Sequence, residues 1–101
     1  MFRRARFGGV IETQLDLFIR DQRDVLDEVD TRLRAYNAAQ RDEAEELYGD
    51  YVDAVETGTE LLADLRDHYA STLTEPERYV EEFNRAVGRR LPELALEIEN
   101  R

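Results

Sequence analysis

Residues 44–69, AEELYGDYVDAVETGTELLADLRDHY, repeat an apolar or small side chain at alternating steps of four and three. Ala44, Tyr48, Tyr51, Val55, Gly58, Leu62, Leu65 and Tyr69 form the series, which marks one face of a long helix with a partner running alongside. No proline precedes Pro76, so nothing in the backbone forbids a long element here. The spacing predicts a helix over about 42–71, roughly 45 Å long at a rise of about 1.5 Å per residue. Asp42-x-x-Glu45 reads as a capping box at its start.

Upstream, Ile11, Leu15, Phe18, Val25, Leu26, Val29, Leu33 and Tyr36 recur at helical spacing, with Gln22 on the same stripe, and predict a first helix over residues 9–36. Asp16 with Arg20, Glu28 with Arg32 and Asp30 with Arg34 place an acid four residues before an arginine, the order that supports a helix. The pattern lapses over residues 37–41, where a turn is expected. The rival is one uninterrupted helix, since Ala38, Ala39, Gln40 and Arg41 all tolerate helix.

Downstream, Thr74-Glu75-Pro76-Glu77 reads as a threonine cap, a first-turn proline and an early acid. A third helix over residues 75–88 follows, with Tyr79, Val80, Phe83, Ala86 and Val87 on one side and a stop near Gly88. Leu91-Pro92 breaks it, leaving a short terminal helix over residues 92–99 with Leu94, Ala95 and Ile98.

Folding the first two helices back on each other about residue 40 sets Ile11 opposite Tyr69, Leu15 opposite Leu65, Phe18 opposite Leu62, Val25 opposite Val55 and Val29 opposite Tyr51. The middle layer is the exception: Gln22 faces Gly58, flanked by Thr57 and Thr59. One apolar stripe per helix is little burial for so long a hairpin. The expectation is an all-α single domain over residues 1–101: a long antiparallel hairpin, a third helix and a short C-terminal helix, completed as a bundle by self-association into a homodimer or higher oligomer. Leu47, Leu61, Val80, Phe83 and Val87 are the expected interface.

At 101 residues the chain holds one core. It has no cysteine, which excludes disulfides, thiolate metal sites and thiol nucleophiles. Its 24 acidic and 14 basic residues give a net charge of −10, and every basic residue is arginine. Such a surface repels phosphate backbones, so nucleic acid is not an expected partner. The absence of lysine has two readings, a GC-rich coding sequence or adaptation to high salt. Charge is also uneven: residues 1–10 hold three arginines and no acid, whereas residues 41–67 hold ten acids and two arginines. A short basic arm over residues 1–8 thus precedes an acidic body. Glu12, Gln14 and Asp16 interrupt the segment from Gly8 to Ile19, which suits neither a signal peptide nor a membrane span, and a cytoplasmic location is expected.

Few residues suggest chemistry. Glu46, Asp50, Asp53, Glu60, Asp64 and Asp67 fall opposite the apolar series, as a solvated face would, and there is no Glu-x-x-His to suggest a di-iron site. His68 is the single histidine; it is either half-buried beside Asp64 or a pH-sensitive element where two copies meet. Ser71 lies three residues from His68 with nothing to orient a triad, and Gly8-Gly9 lacks a phosphate-loop context. No catalytic residue, metal or cofactor is expected.

Tyr36, Tyr48, Tyr51 and Tyr69 lie on the predicted seam. A central polar layer of Gln22, Gly58, Tyr51 and His68 is the candidate ligand site, although Gln22 and Gly58 also fit a role in fixing register. The arm Met1-Phe2-Arg3-Arg4-Ala5-Arg6-Phe7 suits an anionic lipid or an acidic surface, including the body of another copy, or is simply a frayed end. The leading expectation is a non-catalytic interaction or scaffold module with a possible protein partner. The alternatives are a ligand- or cofactor-binding bundle and an acidic regulator that occupies a basic partner.

Overall fold

A computed structural model describes residues 6–101. The expected basic arm therefore lies outside the described residues as far as Ala5. All regular structure among the described residues is helical: α1 (Gly8–Asp21), α2 (Arg23–Asn37), α3 (Ala44–Ala70), α4 (Pro76–Arg90), a 3₁₀ turn (Pro92–Leu94) and α5 (Ala95–Glu99). None of these helices is long and apolar enough to cross a membrane.

The long helix and its partner form as the spacing predicts, and α2 packs along α3 as a hairpin. Residues 38–43 separate them, with the N–H of Ala38 bonded to the Arg34 carbonyl and that of Glu43 to the Gln40 carbonyl. That turn disposes of the uninterrupted helix. The capping box at Asp42 is not made: Glu43 flanks the first helical residue and no side chain caps it. Thr74 likewise makes no cap, since Glu75 precedes Pro76 at the first helical position. Gly88 does not stop α4, which runs through it to Arg90 and ends at Leu91, where the following proline disfavours further helix.

The largest departure from the sequence reading is at Gln22. The expected helix over residues 9–36 is two helices, because Gln22 takes φ −108° and ψ 30°. Its N–H still bonds to the Phe18 carbonyl at 2.8 Å and its carbonyl accepts from Leu26 at 3.0 Å, so the bend costs little hydrogen bonding. The cause is tertiary. α4 lies against the C-terminal half of α3, with the Tyr79 and Tyr69 rings 4.9 Å apart, and α1 packs on α4. Ile11, Leu15 and Phe18 are thus buried, as expected of them, but in a core that α4 helps to build.

That core runs through Leu15, Leu62, Phe83, Val87, Leu94 and Ile98. Gly58 admits a close approach: a Cβ placed there would lie 3.5 Å from Leu94 Cδ2 and 3.6 Å from Val25 Cγ1. The turn after α4 therefore seats Leu94 against the middle of α3. Thr59, Ala63, Arg66 and Ala70 form a second buried stripe on α3, small enough for α4 and α5 to approach.

Two buried charges tie the elements together. Arg66 Nη1 donates to Asn84 Oδ1 at 2.9 Å and to the Ile98 carbonyl at 3.0 Å, joining α3, α4 and α5. Glu82 accepts the backbone N–H of Phe7 at 2.9 Å and of Arg6 at 3.2 Å, and Nε of Arg78 at 3.0 Å. It thereby anchors the two residues that lead into α1 from across the fold. Burial alone would push the Glu82 carboxyl up, but the donors from Phe7, Arg78 and Arg6 outweigh it and hold the group below its ordinary value.

The molecule measures 50 × 30 × 21 Å with a radius of gyration of 15.4 Å, against about 13 Å for a compact chain of this length. The excess length is the hairpin tip. In α2 only Val29 is fully buried, and in α3 full burial begins at Val55. Beyond those positions the hairpin is two helices thick.

Candidate interaction groove

Where the hairpin tip meets α5, side chains at helical spacing build a groove of about 240 Å³. Tyr48, Tyr51, Val52 and Val55 stand three and four residues apart on α3, hence on one face. The 3₁₀ turn contributes Glu93, and α5 contributes Leu96 and Glu97. Leu96 is 74% exposed and Tyr48 50%, the two most exposed large apolar side chains among the described residues.

An aromatic ladder continues the groove onto α2. The Tyr36 and Tyr48 rings are 5.2 Å apart and tilted, and those of Tyr48 and Tyr51 are 6.3 Å apart. Burial raises the Tyr51 hydroxyl pKa, and Glu93 and then Tyr48 add to the shift. The hydroxyl therefore stays protonated, as a donor beside a carboxylate, throughout the neutral range. Glu56, Glu93 and Glu97 edge the groove, and no arginine lines it. Unlike Glu12, Glu28 and Glu82, these three make no ion pair among the described residues. The result is an apolar, aromatic floor edged by negative charge.

A second depression of about 300 Å³ lies at the Gln22 bend. Arg23 and Arg90 there face Asp27, Asp30 and Glu93, and Arg90 is already paired with Glu12 and Asp16 at 2.9 and 2.8 Å. Asp30 is likewise paired outside the depression, with Arg34.

The proposed central polar layer is not assembled. Leu94 and Val25 occupy the space above Gly58, Gln22 sits half-buried at the bend, and His68 is exposed. Of the four residues only Tyr51 lines the groove. Gly58 is thus a seat for the chain's own C-terminal segment. Of the expected interface, Phe83 and Val87 are fully buried in the chain's own core, and Leu61 and Val80 are half-buried against it. Leu47 is half-buried near the hairpin tip. The self-contained core follows from the bend at Gln22, which lets α1 cover the face of α4 that the sequence leaves open.

Glu46, Asp53, Glu60, Asp64 and Asp67 lie on exposed positions, with Asp50 half-buried 3.8 Å from Arg32. No group of three or more His, Cys, Asp or Glu among the described residues is placed to hold a metal ion. Glu82, Arg66 and Leu96 were not singled out by the sequence pattern. For Glu82 and Arg66 a signal exists: each charge falls on a stripe of otherwise apolar or small residues, Tyr79-x-x-Glu82-Phe83 and Thr59-x-x-x-Ala63-x-x-Arg66. Comparison of the chain with protein-family models, curated protein sequences and solved structures finds no match.

Proposed function

We propose that the protein is a non-catalytic interaction module whose contact surface is the acid-edged tyrosine groove between α3 and α5. The observation that carries this reading is the presence of exposed Leu96 and Tyr48 in one groove, beside three carboxylates that make no ion pair among the described residues. A chain with a net charge of −10 gains little from more surface carboxylates. Placed around an apolar floor they select a partner that is both basic and apolar, by steering and by rejection of acidic competitors. Guanidinium groups stack on tyrosine rings, and aliphatic or aromatic side chains bury against Leu96 and Val52. The expected ligand class is therefore an extended segment mixing arginine with aromatic residues.

A ligand pocket at the central layer has less support, because Leu94 fills the Gly58 notch. Nuclear magnetic resonance titration with a short synthetic peptide of arginine and phenylalanine tests the proposal. Shifts confined to Tyr48, Tyr51, Val52 and Leu96, absent with a glutamate-for-arginine peptide, are expected. Shifts scattered over the acidic face, or none, would remove it.

A further inference from the structure

Resting on that reading, we infer that Arg66 is the positioning residue of the groove: its guanidinium holds α5, and with it Leu96 and Glu97, against the wall that carries Tyr48 and Tyr51. The two walls differ in kind. Tyr48, Tyr51, Val52 and Val55 belong to α3, a helix of 27 residues, whereas Leu96 and Glu97 belong to α5, which has five. A helix of little more than one turn does not hold its shape alone, so its place is set from outside. Leu94 and Ile98, both fully buried, seat the segment on the core at points four residues apart. Apolar contact of this kind is non-directional, and at about 100° per residue Leu96 falls near the far side from both. A roll of α5 about the line from Leu94 to Ile98 would keep those core contacts and swing Leu96 away from the tyrosines.

Arg66 supplies the directional contact that prevents this roll. Its side chain is almost wholly buried, and Nη1 donates to the Ile98 carbonyl at 3.0 Å and to Asn84 Oδ1 at 2.9 Å, while Nε donates to Asp67 Oδ1 at 2.8 Å. The Ile98 carbonyl lies in the last turn of α5, where carbonyls lack intrahelical partners and a cation is favoured. That carbonyl also accepts the N–H of Arg101 at 3.2 Å, but this donor belongs to the same segment and cannot fix α5 against the rest of the fold. Among the described residues no other hydrogen bond or ion pair links α5 to α3. An apolar side chain of similar volume often serves core stability as well as a buried charge or better. What it lacks is a directed donor, and the orientation of Leu96 depends on one.

Two variants test this beside the parent chain: Arg66→Met, and Arg66→Met with Asn84→Leu, which also removes the amide left without its donor. Amide hydrogen exchange, followed by nuclear magnetic resonance with no ligand present, should quicken about tenfold or more across residues 95–99 in both variants. In the double variant the urea midpoint should return toward that of the parent, and Val55 to Ala63 on α3 should exchange as they do in the parent. The arginine–phenylalanine peptide should nevertheless bind the double variant about tenfold or more weakly than the parent. Restored stability with lost affinity is the split that a merely structural arginine would not produce. Parent-like exchange in α5, or parent-like affinity in a chain whose α5 has loosened, overturns the inference. A peptide that fails to bind even the parent removes the groove as a binding surface, while the exchange of α5 still decides whether Arg66 holds that wall.

Discussion

The Glu82 carboxylate accepts the backbone N–H of Phe7 at 2.9 Å, so an acid in the middle of α4 holds the residue leading into α1, 75 positions earlier in the chain. Replacement by glutamine removes the charge and one acceptor oxygen while keeping the size. Glu82→Gln should cost about 1–3 kcal/mol. Because the carboxyl is held below its ordinary value of 4.5, its contribution is present above that pH and is lost as pH falls through the folded value. Thermal melts from neutral to acid pH should therefore show a steeper acid decline for the parent chain than for Glu82→Gln. Parallel curves would contradict the assignment.

Tyr79 gives the opposite limb. Burial pushes its hydroxyl up to about 12 from an ordinary 10.0, and the hydroxyl donates to Gln14 Oε1 at 2.7 Å. A raised folded value means that the stability it contributes is complete below pH 10 and is lost as pH rises toward 12. Tyrosinate absorbance should show one hydroxyl ionising together with alkaline unfolding. Tyr79→Phe should remove that late step, and a titration that keeps it would assign it elsewhere.

Gly58 distinguishes a seat for the chain's own Leu94 from a socket for a partner. A methyl group at this position meets Leu94 and Val25 at 3.5–3.6 Å, ordinary contact distances. Gly58→Ala should accordingly stabilise the helix by about 0.5–1 kcal/mol. Gly58→Leu would drive into Leu94 and should cost about 1–3 kcal/mol. Urea midpoints of the two variants should move in opposite directions. Loss of stability in both would show the site to be tighter than described.

The Thr59 hydroxyl is fully buried and has no hydrogen-bond partner among the described residues. Val is nearly isosteric and carries no polar atom to strand. Thr59→Val should raise stability by about 1 kcal/mol, read as an increased denaturant midpoint at unchanged slope. A decrease would mean that the hydroxyl has a partner after all.

The hairpin was legible because its signal is local: Val55, Gly58 and Leu62 recur at helical spacing, and the lapse over residues 37–41 coincides with the turn at 38–43. The bend at Gln22 was not, because nothing in the residues around it forbids helix. Its cause is α4, some 55 residues away, which takes up the face of α3 that a straight first helix would use. Leu94 over Gly58 is hidden for the same reason, since two residues far apart in sequence meet through a proline-directed turn. Of the groove, Tyr48 and Tyr51 stand out in the sequence as part of an aromatic stripe. Leu96, on a five-residue helix too short to show periodicity, does not.

Leu96 also offers the cleanest handle on the groove, because an exposed side chain can be changed with little effect on the core. The decisive measurement is isothermal titration of the arginine–phenylalanine peptide into the parent chain and into Leu96→Arg, with melts to confirm equal folding. An interaction surface at the groove predicts that Leu96→Arg weakens binding about tenfold or more, since it removes the apolar contact and sets a like charge against the arginines of the peptide. Equal affinity for the two chains would contradict the account and place any binding on the general acidic surface.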